Sequence, residues 1–333
     1  MWTRARVPLL ASAAAVALLL LAALAWLWVQ RRADPLEALR RDPGEIRVVR
    51  DSSYPAVTAT GEERLYRDLT ISTVGAGVIR ITTSRPAEPA TGRMPLLVIL
   101  AGLRTGRESL GVVPAHGPNL LVGYQYPYDQ ETWYQRARPA QVPAIRRAAL
   151  DVPWQVAHVA GRMRAEPYVD PGRTALLGYS FGAMFVPAAQ RLAADQGHAF
   201  DAAILAFGGV DIEALMDANL DLGPPAARRA VAWLGATLLH ALEPELHLPH
   251  LTGRFLVIRG AADRQIPAEV SERLAELTPE PREVITLDAG HMNPRDPLLT
   301  DRVVRLSQEW LVRTGVADPA ACSGQGCQSE GSR

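Results

Sequence analysis

Apolar residues along most of this chain form short uninterrupted runs instead of alternating with polar ones. Six such runs fall between residues 95 and 287: PLLVIL, NLLVGYQY, TALLGY, AAILAF, RFLVIRG and EVITL. This pattern is typical of strands buried on both faces, as in a parallel sheet covered by helices. Segments with helical periodicity separate several of the runs, for example AMFVPAAQRLAAD and LTDRVVRLSQEWLV. The pattern predicts repeated β-α units, and therefore an α/β fold with a mostly parallel central sheet flanked by helices.

Two other segments have different patterns. RLYRDLTISTV and VIRITTSRP alternate apolar with polar residues on either side of Gly75 and Gly77, which predicts an antiparallel hairpin. Residues 211–251 combine mixed helical stretches with four prolines, which predicts a small helical lid inserted over the sheet. We therefore expect one α/β domain over residues 62–315, after a linker at 30–61 that lacks a sustained period. The polar residues 316–333 are expected to form a flexible tail.

The N-terminal region has a third kind of pattern. Residues 7–29, after a short flank at 1–6, are apolar or small, and as a helix they would span roughly 34 Å, enough for a bilayer core. Trp26 and Trp28 near the end of this run suit a membrane interface. We predict a single-pass N-terminal membrane anchor. A signal segment cleaved near residue 25, giving a secreted form, and a buried helix of a soluble protein are the alternatives.

Charge and cysteine content exclude some classes of function. Lys+Arg and Asp+Glu both total 35, and every one of the positive side chains is arginine. Without a basic block nucleic acid is not an expected partner, and without lysine a Walker-type phosphate loop or Schiff-base chemistry is excluded. Cys322 and Cys327, the only cysteines, are either a small disulfide loop in an oxidising compartment or two free thiols. We expect the folded domain on the extracytoplasmic, periplasmic side of the membrane.

The sequence GYSFG places Ser180 between two glycines, after the strand-like TALL and before a helical segment. A serine hydroxyl is a poor nucleophile unless a sharp turn exposes it beside a general base, and the flanking glycines permit such a turn. Pro187 falls within the predicted helix and is expected to kink it. An acid and a histidine should follow, each after a later strand: Asp263 in RGAADRQIP and His291 in DAGHMNP fit.

Other residues compete for these roles. Asp211, one strand earlier, is the alternative to Asp263, whereas Asp288 lies too close to His291 along the chain to orient it. The pair of histidines in HLPH has no acidic or thiolate cluster nearby, so no metal site is predicted. Four more histidines are interpreted as surface or core residues: His116, His158, His198 and His240.

With GYSFG, RGAADRQIP and DAGHMN in this order, residues 62–315 resemble the α/β-hydrolase superfamily. Within it, the chain looks closest to serine hydrolases similar to dienelactone hydrolases and prolyl-oligopeptidase-like enzymes. The resemblance implies the α/β-hydrolase fold, with Ser180 as nucleophile and His291 as general base and then general acid. Asp263 is implied as the residue that holds the imidazole in the required tautomer.

The resemblance also implies an oxyanion hole. One donor is the N–H of Phe181, and the second lies in the loop AGLRTGRES, where Leu103 is the expected residue. This loop lacks the His-Gly-Gly form that is common in the family. Tyr179 and Tyr126 are predicted to contact substrate. The aromatic run YQYPYDQETWY, which contains Tyr126, either walls an acyl-binding pocket or packs within the protein.

Together these features predict a membrane-tethered serine hydrolase. It would cleave an ester, lactone or related acyl bond of a small-molecule substrate through an acyl-serine intermediate. No metal or organic cofactor is expected, because His291 transfers the protons and backbone amides stabilise the oxyanion. A peptidase or an acyltransferase on the same fold is an alternative. A catalytically silent scaffold that binds a ligand or protein partner is another.

Overall fold

A computed structural model of the protein describes residues 6–88, 92–102, 104–128, 138–293 and 295–320. Its strands are Ile46–Val57 (β1), Glu63–Thr73 (β2), Gly77–Pro86 (β3), Met94–Leu100 (β4), Leu120–Gln125 (β5), Val169–Tyr179 (β6), Ala202–Ala206 (β7), Arg254–Gly260 (β8) and Arg282–Leu287 (β9). Its α-helices are Arg6–Arg32 (α1), Pro35–Leu39 (α2), Arg107–Gly111 (α3), Val142–Arg164 (α4), Val186–Asp195 (α5), Ile212–Asn219 (α6), Pro225–Leu238 (α7), Ala268–Leu277 (α8) and Pro297–Arg313 (α9).

The nine strands form one sheet in the order β1-β2-β3-β5-β4-β6-β7-β8-β9. The first three strands and β5 pair antiparallel, and the six strands from β5 to β9 pair parallel. Helices cover both faces: in β4, Leu96 and Val98 pack toward α4 and α5, whereas Leu97 and Ile99 pack toward α3 and α9. Burial on both faces explains the uninterrupted apolar runs. The predicted α/β-hydrolase fold, with a mostly parallel sheet flanked by helices, is confirmed.

The interpretation of 30–61 as a linker is wrong, because this segment contains α2 and the edge strand β1. Asp51 of β1 and Arg67 of β2 pair through two N–H···O contacts of 2.7 Å. Most residues of β1 are exposed, so the strand carries no apolar alternation, and Pro55 is tolerated because the strand lies at the sheet edge. Leu39 of α2 is fully buried. The folded domain therefore begins well before residue 62.

The C-terminal boundary also differs from the predicted one at residue 315. Val316 and Ala317 are buried, and the backbone N–H of Asp318 donates to the Asn119 side-chain oxygen at 2.8 Å. The first residues of the predicted tail are therefore part of the domain. Cys322 and Cys327 lie outside the described residues, so their pairing stays a prediction.

Between β7 and β8 lies the predicted helical insertion, made of α6, α7 and three short 3₁₀ turns that end at His250. Pro187 does not kink a helix, contrary to expectation. A 3₁₀ turn, Ser180–Met184, follows β6, and α5 begins only at Val186. Pro187 therefore occupies the first turn of α5, where its missing N–H has no helical partner to lose.

The predicted anchor at residues 7–29 lies within α1. Its window Ala15–Arg32 is long and apolar enough to cross a membrane, and none of its described residues is buried. A membrane anchor and a signal sequence share this length and composition. The C-terminal end of α1 contacts α7.

Candidate active site

Ser180 is the first residue of the 3₁₀ turn that follows β6, and its backbone is strained. Its φ angle is 53°, a backbone region that non-glycine residues seldom adopt. The flanking glycines have no room for a side chain: an added Cβ would lie 1.9 Å from the Leu100 carbonyl oxygen at Gly182, and 2.4 Å from Val186 Cγ2 at Gly178. Tight packing against β4 and α5 therefore holds this turn in place, and the turn presents Ser180 at the carboxyl edge of the sheet.

His291 and Asp263 meet Ser180 at the same edge of the sheet. His291 follows β9, and its Nε2 lies 2.6 Å from Ser180 Oγ. Asp263 follows β8, and its Oδ2 lies 2.7 Å from His291 Nδ1. An ionised carboxylate only accepts hydrogen bonds, so Nδ1 carries the proton and donates it to Asp263. Nε2 is then free of a proton and accepts the hydrogen bond from the Ser180 hydroxyl.

The Asp263 carboxylate is held by the backbone of its own loop. Its Oδ1 accepts hydrogen bonds from the N–H groups of Gln265 at 2.8 Å and Ile266 at 3.0 Å. The side chain of Asp263 is 3% exposed and that of His291 is 8% exposed. Water is therefore largely excluded from the contact between the carboxylate and the imidazole, and the orientation of the imidazole is fixed.

The competing acids lie elsewhere. Asp211 is exposed and caps the start of α6, where its side chain accepts a hydrogen bond from the N–H of Ala214 at 3.0 Å. Asp288 is also exposed. His247 of HLPH is buried, with its Nε2 2.8 Å from the Ala241 carbonyl oxygen. Among the described residues, no group of three or more His, Cys, Asp or Glu side chains is arranged to hold a metal ion.

The loop after β4 passes directly against Ser180. An added Cβ at Gly102 would lie 3.4 Å from Ser180 Cβ and 3.7 Å from its Oγ. Phe181, the first predicted oxyanion donor, follows Ser180 in the 3₁₀ turn. Leu103, the second, lies outside the described residues. The geometry thus brings the loop of the second donor to the nucleophile.

Tyr126 does not lie where the sequence predicted it. Its side chain is 3% exposed, and its hydroxyl donates to the Ala101 carbonyl oxygen at 2.9 Å. Its ring packs against Phe181 and Phe185, with ring centroids 5.4 and 5.6 Å away. Tyr126 therefore supports the loop after β4 from within the core, and it is not among the described residues that line the cavity beside Ser180. Part of the aromatic run, residues 129–134, lies outside the described residues.

Tyr179, the other predicted contact, does line the cavity beside Ser180. Burial raises the pKa of its hydroxyl to about 12, so this side chain stays neutral at physiological pH.

Phe207 is a residue of the site that the sequence reasoning missed. It directly follows β7 with a φ of 54°, and its ring meets the His291 ring edge-on at 5.8 Å between centroids. An added Cβ at Gly260 would lie 2.9 Å from the Phe207 ring. Phe207 therefore packs against the imidazole of His291 and helps to hold it in place. A local signal was the FGG sequence directly after a buried strand, because glycines mark turns.

A cavity of about 1170 Å³ opens over Ser180 and His291. Most of its walls are apolar and come from the start of α4, from the lid helices α6 and α7, and from α9. They include Val142, Ile145, Met216, Leu220, Val231, Leu234, Leu238 and Val304. Arg104, Arg146, Asp221 and Asp301 add charge to the lining. No motif marked these wall residues, because each belongs to an ordinary amphipathic helix or loop.

Comparison with known proteins supports the fold and finds similarity to one family over part of the chain. Residues 153–313 match the model of the prolyl oligopeptidase family. The chain is similar to acetyl xylan esterase 1 from Thermoanaerobacterium sp. JW/SL YS485, with a TM-score of 0.61 and 16% identity over 84% of this chain and 90% of that chain. It is also similar to an acetyl xylan esterase from Paenibacillus sp. R4, with a TM-score of 0.55 and 16% identity over 84% and 92%.

The 2,6-dihydroxy-pseudo-oxynicotine hydrolase gives a TM-score of 0.54 and 16% identity over 81% of this chain and 70% of that chain. Among curated protein sequences no match is found. At 16% identity the solved structures establish a shared fold, and the family match adds the region that carries GYSFG, Asp263 and His291. The chain therefore shares the fold of these hydrolases, and residues 153–313 are similar to the prolyl oligopeptidase family.

Proposed function

We propose that this protein is a membrane-tethered serine hydrolase that cleaves an ester, lactone or related acyl bond of a small-molecule substrate. The observation that carries the proposal is the hydrogen-bonded chain from Ser180 Oγ through His291 to Asp263, with distances of 2.6 and 2.7 Å. Several of the similar structures are esterases, which supports the ester class.

The proposed reaction has two acyl-transfer steps. In the first, Ser180 Oγ attacks the carbonyl carbon while His291 Nε2 takes the hydroxyl proton. The ester C–O bond then breaks, and the leaving alcohol receives that proton from His291. In the second step, water gives a proton to His291 and attacks the acyl-serine, and the acid leaves as Ser180 regains its proton. Asp263 stabilises the imidazolium that forms in each step and keeps the ring in place.

Backbone N–H groups are the proposed donors that stabilise the negative charge on the carbonyl oxygen. The N–H of Phe181 is one, and Leu103 remains the proposed second donor. The close approach of Gly102 to Ser180 supports this assignment, because the loop that contains the proposed donor passes the nucleophile at Gly102. Tyr126 supports the same loop through its hydrogen bond to Ala101.

We assign α1 as the tether and the extracytoplasmic side as the location of the catalytic domain. The apolar window Ala15–Arg32 supports the tether. Alkaline extraction of membranes from expressing cells tests the assignment: a tethered chain stays with the membrane, whereas a chain cleaved after a signal segment is released. Digestion of intact spheroplasts by an added protease reports the side, since only an extracytoplasmic domain is degraded.

A peptidase is the second candidate, because residues 153–313 match the prolyl oligopeptidase family. The same three side chains can attack an amide, so the two activities differ in what the cavity accepts. Parallel assays of matched p-nitrophenyl butyrate and prolyl-p-nitroanilide substrates separate them. An esterase is expected to turn over the ester and leave the anilide intact.

Labelling of the full chain with a fluorophosphonate probe, followed by peptide mapping, tests the proposed nucleophile. We expect label on Ser180 in the wild-type protein and a loss of labelling in His291→Ala and Asp263→Asn, because the serine needs its base. Absence of label on folded wild-type protein would favour the catalytically silent scaffold.

A further inference from the structure

Four apolar side chains line the mouth of the cavity and are themselves exposed to solvent. They are Val142 at 38%, Leu222 at 42%, Val231 at 42% and Leu234 at 41% exposed. We name this group the apolar rim. A patch of exposed aliphatic side chains at the mouth of a binding cavity is unfavourable in water and typically marks a surface that meets another apolar phase.

The end of α1 lies directly beside the apolar rim. A second cavity of about 550 Å³ separates Trp26 of α1 from α4 and α7, and Val142, Arg146 and Leu238 line both this cavity and the larger one. The Arg146 guanidinium donates to the Gln30 side chain at 2.6 Å and lies 5.7 Å from the Trp26 ring centroid. Only one layer of side chains therefore stands between α1 and the cavity over Ser180.

Residues of the lid helices also contact the end of α1. Arg31 Nε donates to Thr237 Oγ1 at 2.8 Å, and the Arg31 guanidinium lies 5.2 Å from the Trp233 ring centroid. A second nitrogen of Arg31 lies 3.4 Å from a carboxylate oxygen of Glu213 in α6. Trp28 and Trp233 are both exposed, and indole rings prefer the level of the lipid headgroups. A bilayer crossed by α1 thus ends beside the two lid helices.

We propose that the apolar rim rests on the lipid surface and that the substrate is an amphiphilic ester dissolved in the bilayer. Its apolar part passes from the lipid across the rim and lies between α4 and α7, where the walls are aliphatic, and its ester group reaches Ser180. This inference rests on the proposed function, both on the acyl chemistry at Ser180 and on the tether α1. It adds the substrate class and the side from which substrate enters.

The test uses the full chain reconstituted in phosphatidylcholine vesicles and two fluorogenic or chromogenic esters. One ester, p-nitrophenyl butyrate, is supplied from water, and the other, 4-methylumbelliferyl oleate, is incorporated in the vesicles. The variant carries Val231→Asn together with Leu234→Asn. The matched control is Val284→Asn, because Val284 is also 42% exposed but lies on β9 at the far edge of the sheet.

We expect the rim variant to lower the ratio of oleate to butyrate turnover by roughly tenfold, because two apolar contacts with lipid are lost. The Val284→Asn protein should keep the wild-type ratio. An unchanged ratio in the rim variant would overturn the proposal. So would a change in oligomer size without a change in the ratio, which would make the rim a contact between copies of this chain.

The same assay distinguishes failure of the inference from failure of the proposed function. Suppose the wild-type protein is labelled at Ser180 and hydrolyses butyrate, but turns over vesicle-borne oleate no faster than the rim variant does. That result contradicts only the proposed bilayer substrate. A wild-type protein with neither label nor hydrolysis of either ester contradicts the proposed function, and the inference falls with it.

Discussion

The turn that carries Ser180 and the lid that covers it are built in opposite ways. The turn is fixed by backbone: positive φ at Ser180 and two glycines that pack against main-chain or core atoms. The lid is held by side-chain hydrogen bonds. Arg31 donates to Thr237, and Glu243 accepts from the N–H groups at the start of α6. Backbone constraints leave a motif in the sequence, whereas side-chain contacts between distant segments leave none.

This difference means that the residues that determine the reaction and the residues that determine the substrate lie in different regions of the molecule. The arrangement at the sheet edge tolerates few residue types, so it specifies what reaction is possible. The cavity walls need only be apolar and of suitable size, and substitutions there keep the fold while changing what fits. Variants at the turn should therefore abolish activity or folding, and variants in the lid should produce graded effects.

The largest difference in activity is expected between variants in which one or the other candidate acid is replaced by asparagine. Asp263→Asn leaves the loop in place but removes the carboxylate from His291 Nδ1, so we expect a loss in kcat of about 10⁴. Asp211→Asn keeps a capping side chain on α6 and should change kcat less than about twofold. Steady-state turnover of p-nitrophenyl butyrate measures both. Equal losses in the two variants would contradict the assignment of Asp263.

The glycine of the turn should be the most sensitive position for folding. Gly182→Ala would place a Cβ 1.9 Å from the Leu100 carbonyl oxygen, which only a backbone shift can relieve, so we expect at least about 3 kcal/mol of destabilisation. Gly223→Ala in the lid has open space at the same atom and should be neutral within about 0.5 kcal/mol. Urea unfolding of both variants provides the comparison, and a stable Gly182→Ala protein would refute the tight-turn explanation.

Acid should weaken the packing beneath the lid through His247. Burial lowers the pKa of His247 to about 4, from its usual 6.5, so between these values the unfolded chain binds a proton that the folded chain does not. Stability is therefore full above pH 6.5 and falls as the pH drops toward 4, by about 3 kcal/mol from this group.

The comparison that isolates His247 is between two glutamine variants. The free energy of unfolding should depend less steeply on pH from 6.5 to 4 in His247→Gln than in the wild-type protein. The control is the exposed neighbour: the slope of His250→Gln should stay closer to the wild-type slope than that of His247→Gln. Identical slopes in all three proteins would show that His247 is solvated in solution.

A smaller effect is expected at the ring that supports His291. Phe207→Leu keeps an apolar side chain but loses the edge-on contact at 5.8 Å, so we expect kcat to fall roughly threefold to tenfold with KM nearly unchanged. Phe200→Leu makes the same change at a fully buried phenylalanine before β7. Both variants should lose similar stability, but a similar loss of kcat in Phe200→Leu would remove the positioning role of Phe207.

Much of the fold and of the candidate site could be predicted from the sequence, for the following physical reasons. Both-face burial gives the parallel strands their uninterrupted apolar runs, and the α/β-hydrolase motifs locate Ser180, Asp263 and His291, which the structure brings within hydrogen-bonding distance. β1 was missed because an exposed edge strand is stabilised by backbone pairing without an apolar face.

The predictions that failed depend on three-dimensional packing. Tyr126 lies in an aromatic run whose burial no local pattern reveals, since its partners Phe181 and Phe185 are 55 and 59 residues away along the chain. The kink predicted at Pro187 is absent because a 3₁₀ turn delays the start of α5, so that Pro187 lies in its first turn. The contact between Arg31 and Thr237 joins residues 206 positions apart, and nothing near either residue signals it.

The central claim is that Ser180 takes up the acyl group, and mass spectrometry after rapid acid quenching tests it most directly. The full-length protein is mixed with excess p-nitrophenyl butyrate, quenched within the first turnovers and digested for peptide mapping. We predict a mass increase equal to one butyryl group on the peptide that contains Ser180, and no such increase in Ser180→Ala. Hydrolysis that proceeds in Ser180→Ala at the wild-type rate, or a butyryl group on another residue, would contradict the account.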